Sequence, residues 1–285
     1  MTDDRSIIGL SLWLKTPPGQ YLLAWEQAQL DIHVADVFGF HALQLGLPEL
    51  DALRANRMPH RWLGAEPGVA RGDAAAPPSD APADGAASPT PSRAVMLCCD
   101  FDALPFPGSS LDLVVLPHAL ELTRDPHRTL REVERVLVPE GRVVVVGFNP
   151  ASLWGLRQRL GRMRRGMALG RQRPLFMPRA GDYIGYWRLR DWLRLLSFEI
   201  ERGRFGCYRP PLASQRWLAR FGWMEPAGDR WWPVFGAVYF LVAVKRVRGM
   251  RLIGLAKRER AKNHAAPAVV THRRHERRRK ARPSR

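Results

Sequence analysis

The stretch AVMLCCDFDALPFPGSSLDLVVLPHALELTRDPHRTLREVERVLVPEGRVVVVGFN, residues 94–149, holds three apolar runs rich in branched side chains: AVMLC at 94–98, LDLVVL at 111–116 and RVVVVGF at 142–148. A turn-rich segment separates the first two, and one amphipathic segment of helical period separates the last two. The reading is strand, turn, strand, helix, strand. These strands are continuous apolar runs rather than apolar/polar alternations, as expected where helices cover both faces of a parallel sheet. In such an α/β fold a ligand sits beyond the carboxyl ends of the strands, where Asp100, Pro117 to Glu121 and Phe148 to Pro150 fall.

Working outward, PPGQYLLAWEQAQLDIHVADV from Pro17 has helical spacing and two prolines suited to a helix start, and it predicts a leading helix over 17–35 covering one edge of the sheet. HALQLG at 41–46 reads as a first strand, PELDALRANR at 48–57 as a short helix, and HRWLGAE at 60–66 as a second strand ending on an acid. Residues 64–93 are mostly Ala, Pro, Gly, Ser and Asp without periodicity, which predicts a flexible surface insertion. The Arg-rich segment 151–180 has leucines at helical spacing, but its glycines weaken any long helix, and it reads as a lid-like insertion. A helix from 187, a strand FEIERGRF at 198–205 and a last strand within 231–246 complete the domain, the last pair antiparallel. The tryptophans at 217, 223, 231 and 232 are expected mainly as buried packing, with a substrate pocket or base stack as the alternative.

At 285 residues with a net charge of +18, the chain is strongly basic, but unevenly so. Residues 245–285 carry 16 Lys and Arg against 2 acidic residues, which leaves only +4 for everything before them. One domain over 1–248 followed by a basic, disordered tail at 249–285 is the expected organisation, the tail touching RNA non-specifically through phosphate neutralisation. Three cysteines, two of them adjacent, suggest neither a disulfide framework nor a metal site, and a reducing cytoplasm fits them. No signal peptide or membrane span is expected, since VFGAVYFLVAV at 234–244 falls short of the roughly 20 residues a spanning helix needs. The HRRHE run at 272–276 is not read as a metal site, because arginines crowd both histidines.

Asp100, LPF at 104–106, LDLVV at 111–115, His118, Leu120 and Glu121, the Asp125–Pro126 step, RVLVPEG at 135–141 and the closing strand occur in the order found in class I S-adenosylmethionine-dependent methyltransferases of the type 11 kind. The chain resembles that family and, with HALQLG early and GFNPASLWGLR at 147–157, is similar to its YafS-like bacterial subgroup. The resemblance implies a Rossmann-like, mostly parallel seven-stranded sheet flanked by helices, S-adenosylmethionine as cofactor, and methyl transfer to an acceptor the sequence does not identify. It departs from the family at the first loop, where only Gly46 remains of the usual glycines and Gln44 replaces an acid. By position, Gln44, Gly46, Glu66, Asp100, Phe101 and Pro117 are the expected cofactor-binding residues. Asp100 would accept from an adenine amino group, and Glu66, 20 residues after Gly46, would meet ribose hydroxyls. His118 is the candidate catalytic base, with a buried structural histidine as the alternative. Asp112 reads as structural. Two other readings stay open: an RNA or ribonucleoprotein methyltransferase using the basic segments, and a non-catalytic methyltransferase-like binding scaffold.

Overall fold

The computed structural model describes residues 7–66, 95–167, 175–178 and 183–246. Most of the expected insertion at 64–93, the tail at 249–285 with its HRRHE run, and parts of 151–180 lie outside the described residues.

In chain order the elements are α1 (Ile7–Leu14), α2 (Pro17–Val34), β1 (His41–Leu45), β2 (His60–Ala65), β3 (Val95–Cys98), β4 (Leu111–Pro117), a single turn α3 (Ala119–Leu122), α4 (Pro126–Val136), β5 (Leu137–Phe148), α5 (Leu153–Met167), α6 (Tyr186–Leu195), β6 (Phe198–Gly206), α7 (Gln215–Arg220), α8 (Met224–Trp231) and β7 (Val238–Lys245). The seven strands form one sheet in the order β3-β2-β1-β4-β5-β7-β6. All neighbours are parallel except β7, which runs antiparallel to both β5 and β6. The chain winds outward from β1 to β3 and then returns to β4, so the order reverses between β1 and β4. That reversal opens a crevice at the strand ends, the usual ligand position in such sheets.

Alternation along the strands divides the core into two layers. Ala42, Leu113, Val115, Val144 and Phe240 face α1 and α2, while Leu43, Val114, Val143 and Leu241 face α4 and α6. The helix α4 begins cleanly because Asp125 caps it: Oδ1 accepts from the backbone of His127 at 3.0 Å and Arg128 at 3.2 Å, and Pro126 occupies a position where no N–H is needed. The Lys245 ammonium joins that helix to β7, donating to the carbonyls of Glu134 and Leu137 and pairing with the Glu134 carboxylate at 3.0 Å.

Four expectations require correction. First, α2 covers a face rather than an edge: Trp25 packs on Gly206, His33 stacks on Phe240 and Glu26 reaches His118, so the helix crosses β4, β7 and β6. Second, residues 48–57 form successive turns instead of a helix, stabilised by buried amide side chains. Third, α5 is a helix of 15 residues despite its glycines, because Gly155 lets the helix approach Pro150 too closely for a Cβ. Fourth, Trp217, Trp223, Trp231 and Trp232 are all exposed. The short apolar helix α1 was not foreseen.

Asp112 has the structural role its position suggested. Its Oδ2 accepts from the backbone of Phe40 at 2.8 Å and His41 at 2.9 Å, fixing the start of β1 against β4. Asp112→Ala strands these donors and is expected to cost about 1–3 kcal/mol in urea unfolding, with the folded spectrum retained. Unchanged stability would remove this tie from the account.

Candidate functional site

At the carboxyl ends of β1 and β2, and at the turns that follow β3 and β4, the chain forms a recess of about 300 Å³ including its open mouth. Gly46, Leu47, Pro48 and Glu49 form one wall, Glu66 and Phe101 another, and Leu10, Ser11 and Leu122 close it from the helical side. The walls are mainly apolar, and Glu66 stands out among them. Its carboxyl group is half-buried, and no described residue hydrogen-bonds it. Burial raises its pKa, the neighbouring Asp100 and Asp102 raise it further, and Arg124 acts against them. Asp100 is exposed beyond β3, with Oδ1 accepting from the Asp102 backbone in a tight turn. Phe101 is buried beside it.

The first loop is held by a side chain whose role the sequence did not reveal. The Gln44 amide is buried, its Nε2 donating to the carbonyls of Gly46, Leu47 and Leu50 at 3.3, 3.0 and 2.6 Å, while Oε1 accepts from Ala52 at 2.9 Å. Gly46 and Leu47 both adopt positive φ, 78° and 42°, so the chain turns sharply after β1. Leu47 is buried in the layer beneath α2, and Pro48 and Glu49 are exposed at the rim. A single buried amide thus shapes the turn that glycines shape in the family pattern. The expected hydrogen bond from Gln44 to a ligand is replaced by bonds within the loop. Pro117 is buried where β4 ends, under Gly46, and contributes backbone rather than recess wall.

His118 does not open on the recess. It is fully buried at positive φ, 53°, with Nε2 2.8 Å from Glu26 Oε1 and Nδ1 3.0 Å from Glu121 Oε2. Oxygen acceptors on both sides demand a proton on both ring nitrogens, which is the imidazolium. Burial pushes the His118 pKa down, but Glu26 and Glu121 together outweigh burial and push it up to about 10. Glu121 Oε1 also accepts from the backbone of Phe148 at 2.5 Å, and the Phe148 ring lies 4.4 Å from the imidazole. The cluster therefore joins α2, the end of β4 and the end of β5. Both ring nitrogens are engaged within the protein, which is the arrangement of the buried structural histidine weighed against a ligand contact. Glu26 was the partner that sequence reading missed: it lies 92 residues from His118, and its only signal is an acid on the apolar stripe of α2.

Residues 76–145 match the methyltransferase-domain family model. A 97-residue segment is 39 % identical to the uncharacterised protein YafS of Escherichia coli K12, spanning 34 % of this chain and 36 % of that protein. A 61-residue segment is 43 % identical to the malonyl-[acyl-carrier protein] O-methyltransferase of Halorhodospira halophila, spanning 21 % of each chain. The matches thus span about a third or less of these curated relatives. Among solved structures, a chain of the complex containing the Haloferax volcanii Trm112 methyltransferase activator superposes with a TM-score of 0.54 at 16 % identity, covering 85 % of this chain and 98 % of that one, a likeness of fold. By the domain match over residues 76–145, the partial relatives and the sheet topology, the chain is similar to class I S-adenosylmethionine-dependent methyltransferases.

Two variants test the site's supports. Gln44→Leu leaves three carbonyls and one N–H without their buried partner and is expected to lower stability by about 3 kcal/mol in chemical denaturation. The His118 pKa is raised, so its contribution to stability is complete below pH 6.5 and is lost as pH climbs towards 10. Between those limits the stability of the parent is expected to fall by up to about 1.4 kcal/mol per pH unit relative to His118→Gln. Parallel profiles would show that the imidazole carries no charge.

Proposed function

We propose that the chain transfers a methyl group from S-adenosylmethionine to an acceptor, with the adenosyl part held in the recess at the β1–β4 reversal. The observation that carries this reading is the placement of Glu66 and Asp100 at the ends of two adjacent strands: Glu66, half-buried and without a hydrogen-bond partner among the described residues, lines a mainly apolar recess, and Asp100 is exposed next to the lining residue Phe101. Such a pairing suits a nucleoside. Carboxylates accept from ribose hydroxyls or an exocyclic amine, and Phe101 and Leu122 supply apolar surface for a flat ring. When bound, the cofactor supplies a methyl group on a sulfonium sulfur. The chain's own part is to orient it: Gln44 fixes the loop of Gly46 and Leu47, and the Glu26–His118–Glu121 cluster fixes the end of β4 against β5.

Alignment of donor and acceptor can supply much of the acceleration for such a transfer, and the site's rigid supports favour that mode. The family resemblance supports a small-molecule acceptor. Three free cysteines and no described helix long and apolar enough to cross a membrane are consistent with a cytoplasmic setting.

Titration with S-adenosylmethionine and its demethylated product, followed by thermal unfolding, is the direct test. A ligand at 100 times its dissociation constant stabilises the folded chain by roughly 2.7 kcal/mol. Asp100→Ala and Glu66→Ala are each expected to weaken binding about tenfold, equivalent to about 1.4 kcal/mol, without changing the unliganded melt. No shift for the parent at millimolar ligand would favour the non-catalytic scaffold instead.

A further inference from the structure

The helix α5 carries an apolar stripe on the wrong side for a globular core. Leu153, Leu156, Leu160 and Met163 recur at the spacing of one helix face, yet they are 48, 53, 45 and 60 % exposed. The helix is not free to roll and bury them. Its opposite face is fixed by Trp154, which is buried and donates from Nε1 to the Arg209 carbonyl at 2.8 Å, and by Gln158, whose amide bonds the Met177 backbone in both directions at 3.1 and 3.2 Å. The exposed stripe is therefore a property of the folded state.

The helix carries one sign of charge: its sequence, Leu153–Met167, holds five arginines and no acidic residue, and Arg157, Arg159 and Arg162 are exposed alongside the leucines. Arg157 donates to the Pro211 carbonyl, and Arg209 donates to the Leu218 carbonyl at 3.3 Å, so the loop at 209–211 joins α5 to α7. From α7 the exposed Trp217 presents its ring, stacked on Phe221 and close to Arg220.

We propose that α5, with Trp217 on the helix α7 tied to it through the 209–211 loop, docks the chain on the surface of an anionic phospholipid bilayer. A basic helix with an aliphatic stripe lies in the plane of the headgroups, the stripe entering the acyl boundary and the arginines meeting the phosphates. Tryptophan suits the same depth because its ring is apolar and its N–H is polar. Charge complementarity selects this occupant. A second copy of the chain would bring arginines against arginines. A nucleic acid would satisfy the arginines but leave the leucines and methionine unused, since bases stack on aromatic faces.

Sedimentation of the full chain with vesicles of phosphatidylcholine, alone or mixed equally with phosphatidylglycerol, tests the proposal. The parent is expected to bind the mixed vesicles and to retain a fraction of that binding at high salt, because screening weakens the charge contribution and not the apolar one. Leu156→Gln/Leu160→Gln, which adds no charge at exposed positions, is expected to reduce the salt-resistant fraction about tenfold. Leu156→Met/Leu160→Met is expected to bind like the parent, and equal melting temperatures of all three would separate docking from folding. Complete release of the parent by salt, or equal binding by parent and the Gln pair, overturns the proposal. So does binding of single-stranded RNA, but not vesicles, that depends on these leucines.

Discussion

An imidazolium sealed between two carboxyl groups holds this domain together at the carboxyl ends of β4 and β5. A charge without water is costly unless partners surround it, and removing one partner leaves the others exposed to that cost. Glu26, His118 and Glu121 come from α2 and from the turn after β4, and Glu121 continues the chain of bonds to the backbone at the end of β5. One Glu26 oxygen, Oε2, has no hydrogen-bond partner among the described residues, so the cluster leaves polar capacity unused in a buried place. The left-handed conformation at His118 belongs with this arrangement: it turns the chain abruptly after β4 and aims the ring at both acids. The recess lies next to this rigid corner, with Leu122 one residue beyond Glu121.

The same economy appears at the first loop. Families built on this sheet use glycines after β1 so that backbone and ligand can approach closely. Here a buried amide collects three carbonyls and an N–H, and the turn keeps a compact shape with one glycine. An uncharged side chain at that position contributes geometry rather than field. The acidic groups lining the recess are Glu49 and Glu66 instead.

The sheet was largely legible in the sequence because its strands are long apolar runs separated by turns and caps. The runs at 111–116 and 142–148 and the antiparallel last strand follow from local pattern. The failures share a cause. Residues 48–57 have the composition of a helix, but Gln44 captures the Leu50 carbonyl and the Ala52 N–H, and Asn56 ties the segment's end to the carbonyls of Val34 and Val37. The face α2 covers, the burial of Glu26 and the exposure of the α5 stripe depend on which distant segment arrives opposite, and periodicity gives no partner. For the site, Gly46, Glu66 and Phe101 were found by their place after strands and do line the recess, whereas Gln44 and His118 have the expected positions but point their polar atoms inward.

The position of β7 bears on how the molecule is made. It is the last strand among the described residues yet lies between β5 and β6, pairing with both. During translation, β5 therefore waits with an open hydrogen-bonding edge while about ninety further residues emerge, and β6 has no neighbour at all until the final strand slots in. Nascent chains halted before Val238 carry two sticky margins, so completion of the sheet coincides with the end of the domain rather than accompanying its growth.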